Sequence, residues 1–338
     1  MEALQTNIYL TGRCTRKCPN CYYPKDGELT QEVAWDLGMW INKLCEQENV
    51  KLFKAHFLGG EPLLNWDALL MLMILFKKLP AHPDGKLVVF TNGDTLNEYG
   101  LRGLKLWDVK IMLNPTDNSL EEVERRMKMI KEICGGVSLA VAADAHNLKR
   151  LGDLTKLAVK YHGHIRINRL YHGGNIPGYV EEFGKQMHKV FDILLESEWA
   201  MWPNFILESS YPTWEGPKNC HACGRWILIF DPNGDIRSCN ADMDTKIGNI
   251  YTHSKMSDFK FTHRWSSKGL AECEGCEWSL GGWCQGGCPL TRKLTYGSYE
   301  HPTPFCEVYK TLFPRLKELT RKWKEQHAKR CLDQKLAD

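Results

Sequence analysis

Three cysteines near the amino terminus have a spacing that suits metal chemistry. Cys14, Cys18 and Cys21 are arranged as C-x3-C-x2-C and directly follow the apolar run Asn7–Leu10. Three thiolates on one short loop can hold three corners of an iron–sulfur cube and leave the fourth iron open for a substrate or cofactor. The alternatives are a zinc knuckle and three unrelated thiols. No second C-x2-C pair lies near the triplet, which disfavours a zinc knuckle.

A second cysteine-rich region fills the last third of the chain. Its members are Cys220, Cys223, Cys239, Cys273, Cys276, Cys284, Cys288 and Cys306. A strand-like run, Trp226–Phe230, and a turn sequence, Asp231–Asp235, predict a β-hairpin before Cys239. Two of the pairs, Cys220-x2-Cys223 and Cys273-x2-Cys276, could instead form a ribbon-like zinc site. The region therefore predicts metal binding, either by an iron–sulfur cluster or at a zinc site.

Composition and charge exclude several classes of protein. The 338 residues suffice for a sizeable core and two domains. Apolar residues make up 43% and charged residues 25%, and the formal net charge of +3 is too small to indicate nucleic-acid binding. No apolar run approaches the roughly 20 residues of a membrane span. We therefore expect a monomeric protein that binds neither nucleic acid nor membrane.

The fourteen cysteines are more consistent with metal ligands than with disulfides. Met1–Thr6 lacks the basic and apolar regions of a secretory signal peptide. The sequence thus predicts a reducing, cytoplasmic location.

The chain before residue 200 alternates short apolar strands with amphipathic helices. Strands are predicted at Thr6–Leu10, Leu52–Leu58, Leu87–Thr91, Val109–Leu113, Val137–Ala142 and Ile165–Leu170, and helices at Thr30–Cys45, Trp66–Leu79, Leu96–Leu104, Ser119–Ile133, Leu148–Tyr161 and Tyr179–Glu198. This alternation indicates parallel βα units. Six units do not close an eight-stranded barrel, so we predict a partial (β/α)6 TIM-type barrel with its chemistry at the carboxyl ends of the strands.

Polar residues follow several of these strands. Gly59 and Gly60 would let a backbone approach a ligand closely, and Glu61 could accept hydrogen bonds from an ammonium group, although a tight turn is the simpler explanation. Thr91 and Asn92 end the third strand. Further candidates are Asn114 after the fourth strand, and Arg166 and Asn168 in the sixth. An arginine there could bind a carboxylate or lie in solvent.

The amino-terminal motif resembles the signature of the radical S-adenosylmethionine (radical SAM) enzymes. The resemblance implies that Cys14, Cys18 and Cys21 hold a [4Fe-4S] cluster whose open iron chelates S-adenosylmethionine, and that reductive cleavage yields a 5′-deoxyadenosyl radical. Gly59, Gly60 and Glu61 resemble the "GGE" motif that contacts the cofactor's amino group. The other cofactor-binding candidates are Thr91, Asn92, Asn114, Arg166 and Asn168, and Asn114 departs from a commoner Ser-x-Asp pattern.

The carboxyl-terminal cysteines resemble the SPASM extension of radical SAM peptide-modifying enzymes. That resemblance implies two auxiliary [4Fe-4S] clusters, one held by Cys220, Cys223, Cys239 and Cys288 and the other by Cys273, Cys276, Cys284 and Cys306. Without Cys220, the first would have an open iron. We predict a barrel at 1–200, a linker at 201–219, a small cysteine-rich SPASM domain with a β-hairpin at 220–310, and a C-terminal helical tail at 311–338.

The resemblance implies oxidation of a ribosomally made peptide or protein side chain, with a reductant such as flavodoxin or ferredoxin. We expect no leader-binding domain before the first strand, and Asn240 replaces the aspartate that follows the hairpin cysteine in the sulfatase-maturing branch. Asp242 and Asp244 are weak candidates for a replacement base. The alternatives are a small-molecule dehydrogenase or epimerase acting on a sugar or aminocyclitol, and a zinc-ribbon binding module without catalysis.

Overall fold

The structure is a computed structural model that describes residues 1, 3–21, 23–79, 86–199, 227–260, 270–284 and 286–337, with side chains as far as residue 328. The strands are β1 (Ala3–Tyr9), β2 (Leu52–Leu58), β3 (Lys86–Thr91), β4 (Lys110–Leu113), β5 (Ser138–Ala142), β6 (Ile165–Asn168), β7 (Ile227–Phe230), β8 (Asp235–Arg237) and β9 (Lys246–Asn249). The helices are α1 (Gln31–Gln47), α2 (Trp66–Lys77), α3 (Glu98–Leu106), α4 (Leu120–Cys134), α5 (Leu151–Lys160), α6 (Tyr179–Glu196), α7 (Glu277–Leu280), α8 (Pro289–Tyr296) and α9 (Cys306–Ala337).

The chain forms two compact units. Unit 1 contains the described residues within 1–114, 129–136 and 219–264, and unit 2 contains those within 115–128, 137–218 and 265–338. The six predicted strand–helix pairs are present: β1–β4 lie in unit 1 and β5 and β6 in unit 2. The predicted linker at 201–219 lies outside the described residues, so the predicted domain boundaries stay a prediction.

The sheet of unit 1 has the strand order β4-β3-β2-β1-β7-β8-β9. Neighbours from β4 to β7 are parallel, whereas β7, β8 and β9 form an antiparallel meander. Along β2, Phe53, Ala55 and Phe57 are buried at alternate positions, and the rings of Phe53 and Phe57 contact Phe76 of α2. Because side chains alternate between the faces of a strand, this face of β2 packs against the helices.

Helix α1 shows how the sequence sets the helical layer of unit 1. It begins after Thr30, whose hydroxyl accepts a hydrogen bond from Val33 N at 3.2 Å and so caps the first turn. Leu37, Ile41 and Leu44 are buried at three- and four-residue spacing. This stripe faces the core while the opposite side of the helix meets solvent.

The helices of unit 2 pack around a buried core. The rings of Phe183 in α6 and Phe305, just before α9, lie 5.5 Å apart, and both residues are buried. The buried Arg169 donates to the Tyr309 hydroxyl at 2.8 Å and to Thr291 Oγ1 at 2.7 Å. Helix α9 begins at Cys306, five residues before the predicted helical tail at 311–338, and continues to Ala337, with its apolar stripe packed inward.

In the part of the chain that the structure describes, no helix is both long enough and apolar enough to cross a membrane.

Candidate active site

Three loops of unit 1 meet at the carboxyl ends of β1, β2 and β3. The loop after β1 carries the three amino-terminal cysteines, residues 59–61 follow β2, and Thr91 ends β3. Gly60 N donates to Thr11 O at 2.7 Å, and Glu61 N donates to Arg13 O at 2.8 Å. The backbone of the glycine loop is therefore hydrogen-bonded directly to the start of the cysteine loop.

Both glycines are required by this close approach. A Cβ atom on Gly60 would lie 2.1 Å from Arg13 O, and one on Gly59 would lie 2.7 Å from Thr11 O. Any side chain would push the two loops apart. The glycines thus serve loop packing, and the same packing brings Glu61 beside the cysteine loop.

Glu61 is a fully buried carboxylate with three hydrogen-bond donors around it. It accepts from Thr91 Oγ1 at 2.8 Å, Asn92 N at 2.9 Å and Leu63 N at 3.3 Å. Burial raises the pKa of Glu61 to about 7, although these hydrogen bonds lower it. A carboxylate has about four acceptor positions, so one remains for a further donor. A buried carboxylate of this kind fits an ammonium group such as that of the cofactor's methionine end.

The three thiols of the cysteine loop are accessible to different degrees. Cys14 and Cys18 are half-buried and Cys21 is exposed. Cys21 N donates to Cys18 O at 3.2 Å, and Asn92 Nδ2 lies 3.8 Å from Cys14 Sγ. Within the described ranges, no group of three His, Cys, Asp or Glu side chains is placed to hold a metal ion. The donor set, three thiols without a disulfide on one loop, has the chemistry of a three-cysteine iron–sulfur site.

Sequence reasoning missed a second layer of contacts around this loop. Thr15 Oγ1 donates to Asp94 Oδ2 at 2.8 Å and accepts from Asn92 Nδ2 at 2.9 Å. Arg16 forms a bidentate ion pair with Asp94, with Nε to Oδ2 at 2.5 Å and Nη2 to Oδ1 at 2.6 Å. Asp94 therefore links the β3–α3 loop to the residues between Cys14 and Cys18.

Three further predicted cofactor-binding residues lie on or directly after other strands. Asn114 follows β4, and its N–H donates to Thr91 O at 2.7 Å, which places its backbone at the same sheet edge. Arg166 and Asn168 lie on β6 in unit 2, where Arg166 Nε donates to Asn168 Oδ1 at 3.1 Å. A cofactor-binding role for these three residues stays a prediction.

The predicted bases lie between β8 and β9. Asp242 Oδ1 accepts from Thr245 Oγ1 at 3.0 Å, and Asp244 is exposed. Asn240, at the position that differs from the sulfatase-maturing pattern, accepts from the Tyr9 hydroxyl at 3.4 Å. Tyr9 in turn stacks on Tyr23, with ring centroids 4.2 Å apart. Tyr9 and Tyr23 gave no signal in the sequence, since each also fits an ordinary core residue.

Four cysteines of unit 2 surround one small cavity, here called the four-thiol cavity. Its cysteines are Cys273, Cys276, Cys284 and Cys306, and its other walls include Trp278, Lys310 and Phe313. Burial and then the neighbouring Cys306, Cys273 and Cys276 thiols raise the pKa of Cys284 to about 11. Four thiols line this cavity, which is the number of ligands in a fully ligated four-iron cluster, although they are not grouped closely enough to hold a single metal ion.

The remaining cysteines are placed as follows. Cys239 lies in unit 1 and the buried Cys288 in unit 2, while Cys220 and Cys223 lie outside the described residues. The predicted first auxiliary cluster therefore stays a prediction. Cys45 is buried in α1, where burial raises its pKa to about 12. The described cysteines, eleven in all, form no disulfide.

Comparisons with known proteins agree with this geometry. Residues 4–131 match the family model described as a 4Fe-4S single cluster domain. The mycofactocin maturase MftC of Mycobacterium ulcerans (strain Agy99) is 24% identical, with 88% of this chain and 86% of that protein covered.

Solved structures show the same fold at low sequence identity. A structure of anSMEcpe with bound AdoMet matches with a TM-score of 0.75 and 19% identity, covering 94% of this chain and 99% of that one. A complex of anSMEcpe with AdoMet and the Cp18Cys peptide gives a TM-score of 0.71 at 18% identity with the same coverage. Streptococcus suis SuiB bound to S-adenosylmethionine gives 0.63 at 16% identity, covering 89% and 76%.

The predicted fold class is confirmed: the parallel sheet is that of a radical SAM partial barrel, followed by a cysteine-rich region. The predicted recognition is confirmed as well, because the cluster-domain match, the relative and the solved structures all point to it. The chain resembles the radical SAM enzymes, and among them the SPASM-containing maturases.

Proposed function

We propose that this enzyme cleaves S-adenosylmethionine reductively and oxidises a side chain of a ribosomally made peptide or protein, forming a crosslink or a double bond. The observation that carries the proposal is the presence of two different thiol sites in one chain. One has three cysteines beside a buried carboxylate, and the other has four cysteines around a cavity. A net oxidation needs both a radical-generating site and an electron-accepting site.

The first site would bind the cluster and cofactor through residues already near each other. Cys14, Cys18 and Cys21 would hold the cluster, and Glu61 would accept a hydrogen bond from the cofactor's ammonium group. When bound, these groups supply the primary carbon radical. The buried carboxylate and its packed glycine loop orient the methionine end and keep water from it, which protects so reactive a species.

The second site supplies a route for the second electron. A two-electron oxidation removes one hydrogen atom, one further electron and one proton from the substrate. S-adenosylmethionine would supply the acceptor of the hydrogen atom, an oxidised auxiliary cluster would accept the electron, and a base would take the proton. Cys273, Cys276, Cys284 and Cys306 would hold that cluster, and Asp242 and Asp244 are the candidate bases.

The arrangement of the four-thiol cavity supports an iron–sulfur cluster over the zinc-ribbon alternative. The zinc hypothesis paired Cys273 and Cys276 with Cys220 and Cys223. The cavity instead groups Cys273 and Cys276 with Cys284 and Cys306, which is the set that the SPASM resemblance implies. With a further cluster on Cys220, Cys223, Cys239 and Cys288, the proposal requires three [4Fe-4S] clusters per chain.

The peptide substrate is supported by the relatives. MftC is named as a maturase, and anSMEcpe has been seen with bound peptides. A reductant such as flavodoxin or ferredoxin would supply the electron for cofactor cleavage. Cysteines without disulfides fit a cytoplasmic location, and the proposal is completed by a monomeric state.

The test is anaerobic reconstitution followed by incubation with dithionite, S-adenosylmethionine and the product of any small peptide gene next to this one. We expect about twelve irons per chain, formation of 5′-deoxyadenosine and a peptide that has lost two hydrogen atoms by mass spectrometry. Zinc without colour or cleavage would refute the enzyme. A peptide of unchanged mass together with turnover of a sugar or aminocyclitol would refute the substrate class.

A further inference from the structure

Asp94 joins the span between Cys14 and Cys18 to the loop after β3. Its carboxylate accepts from Arg16 through two N–H groups, at 2.5 and 2.6 Å, and from the Thr15 hydroxyl at 2.8 Å. The Arg16 and Asp94 side chains are only 22% and 17% exposed. A bidentate guanidinium–carboxylate pair fixes both distance and orientation, which a single point contact does not.

The loop after β3, which carries Asp94, also contacts Glu61. Asp94 N donates to Asn92 Oδ1 at 2.8 Å, and Asn92 N donates to Glu61 Oε2 at 2.9 Å. Asn92 Nδ2 donates to Thr15 Oγ1 at 2.9 Å and lies near Cys14 Sγ. A continuous series of hydrogen bonds therefore joins the cysteine loop to the carboxylate proposed to hold the ammonium group.

A second ion pair on the same loop provides a contrast. Arg13, directly before Cys14, forms an ion pair with Glu28, but these side chains are 61% and 40% exposed. Exposed pairs contribute little because water and salt screen them. Of the two pairs, the Arg16–Asp94 pair is the one with a residue between the first and second cysteines, and Asn92 joins Asp94 to the Glu61 carboxylate.

We propose that Asp94 is a positioning residue: through Arg16 and Thr15 it holds the Cys14–Cys18 span at a fixed distance from Glu61. S-adenosylmethionine must bind the open iron and the carboxylate at once, so its affinity depends on that distance. Catalytic geometry tolerates displacements of only about 0.5 Å. The proposal rests on the placement of the cluster on this loop and is independent of the peptide substrate.

The test compares Asp94→Asn, Asp94→Glu, Arg16→Lys and the matched control Glu28→Gln in the reconstituted full-length enzyme. Each variant is assayed for iron content and for the Kd of radiolabelled S-adenosylmethionine by equilibrium dialysis. The change in the electron paramagnetic resonance spectrum of the reduced cluster on adding S-adenosylmethionine gives a spectroscopic signature. Hydrogen exchange across residues 14–21 reports how well the loop is held.

We expect Asp94→Asn to load iron normally, to bind S-adenosylmethionine about tenfold more weakly and to show a smaller cofactor-induced spectral change. Its amides at 14–21 should exchange faster than in the wild type. Asp94→Glu should recover most of the affinity because it keeps the charge. Arg16→Lys should be intermediate because it keeps the charge but loses the fork geometry, and Glu28→Gln should match the wild type.

A wild-type Kd and spectral change in Asp94→Asn would overturn the proposal. If Asp94→Asn takes up no iron, Arg16→Lys decides instead, and an unchanged Kd in that variant overturns it. If affinity falls in Arg16→Lys but rises in Asp94→Asn, Arg16 itself binds the cofactor and Asp94 does not position the loop. Absence of iron from the wild type would refute the cluster placement itself, a different failure from loss of positioning.

Discussion

The cysteine loop of unit 1 and the four-thiol cavity of unit 2 have similar ligands in different surroundings. The loop presents one exposed and two half-buried thiols beside a hydrogen-bonded carboxylate. The walls of the cavity include Trp278 and Phe313, and of its four thiols Cys273 is buried and the other three are half-buried. The number of thiols is the clearer difference: three thiols would leave one iron of a four-iron cluster open to a second molecule, whereas four would ligate the cluster completely.

This difference indicates how one chain separates two tasks. A site that binds a cofactor needs an open position and polar groups to orient the ligand, and in the proposed function these groups are Glu61 and its donors Thr91 and Asn92. A site that only stores an electron needs complete ligation and protection from water. The proposed function assigns radical formation to the first site and electron removal to the second.

The largest expected effect comes from Cys18→Ala. Removal of one of three ligands should abolish cofactor cleavage, because the remaining two thiols cannot hold a cube with one open iron. We expect the loss of about four irons and of all 5′-deoxyadenosine above background. The matched control is Cys134→Ala, whose half-buried thiol contacts Leu101 O. Full activity in Cys18→Ala, or equal loss in the control, would contradict the proposed loop cluster.

Cys284→Ala should disable the four-thiol cavity and leave the cysteine loop functional. It removes a ligand of the four-thiol cavity and should also lower iron by about four atoms per chain. Cofactor cleavage should continue, since the loop and Glu61 are untouched, whereas the oxidised peptide should not form. Iron, 5′-deoxyadenosine and product mass are measured on one preparation. A variant that still makes product would mean that this cavity does not receive the second electron.

The local motifs were predictable from the sequence because their chemistry depends on spacing and order alone. Cys14, Cys18 and Cys21 are a few residues apart, and the rule that sites form at the carboxyl ends of parallel strands placed Glu61 beside them. The prediction for α3 began at Leu96, but the helix starts after Asn97, whose side chain accepts from Gly100 N. The capping side chain, and not the start of the apolar periodicity, therefore sets the first residue of α3.

The contacts between distant segments were not predictable. Arg16 and Asp94 are 78 residues apart, and Tyr9 and Asn240 are 231 apart. The second contact exists because β7 pairs with β1, which brings the hairpin of the cysteine-rich region to the barrel sheet. Neither the charge of an isolated residue nor the period of a strand specifies its partner, so such pairs require the three-dimensional structure.

Glu61→Gln should have a smaller effect than removal of a cysteine. The amide keeps the shape but loses the charge that would pair with the ammonium group. Hydrogen bonds to charged groups contribute about 1.5–3 kcal/mol, so we expect S-adenosylmethionine to bind about 10- to 150-fold more weakly. Iron content should stay at the wild-type level, which separates this variant from Cys18→Ala. Unchanged affinity with full iron would remove Glu61 from the cofactor site.

The smallest expected effect is the pH dependence of cofactor binding at the same residue. The pKa of Glu61 is raised to about 7 by burial, and the ammonium group needs the ionised form. The fraction of the enzyme with an ionised Glu61, which is the form that binds the cofactor, therefore falls as pH drops through 7. The affinity at pH 6 should be about tenfold weaker than at pH 8.

The effect of Glu61 on the free energy of unfolding has the opposite sign. Because its folded pKa lies above its unfolded value, its contribution to stability is present at low pH and is lost as pH rises through 7.

Glu61→Gln is the control for both pH trends, since an amide does not titrate. Affinity should become flat between pH 6 and 8, and the urea midpoint of the cofactor-free protein should lose the part of its pH dependence that Glu61 contributes. Opposite slopes in the wild type, both reduced in the variant, would assign them to one buried carboxylate. If the affinity of Glu61→Gln for S-adenosylmethionine still changes between pH 6 and 8, another titrating group controls binding. Glu61 would then not be the group that distinguishes the cofactor-binding loop from the electron-storing cavity.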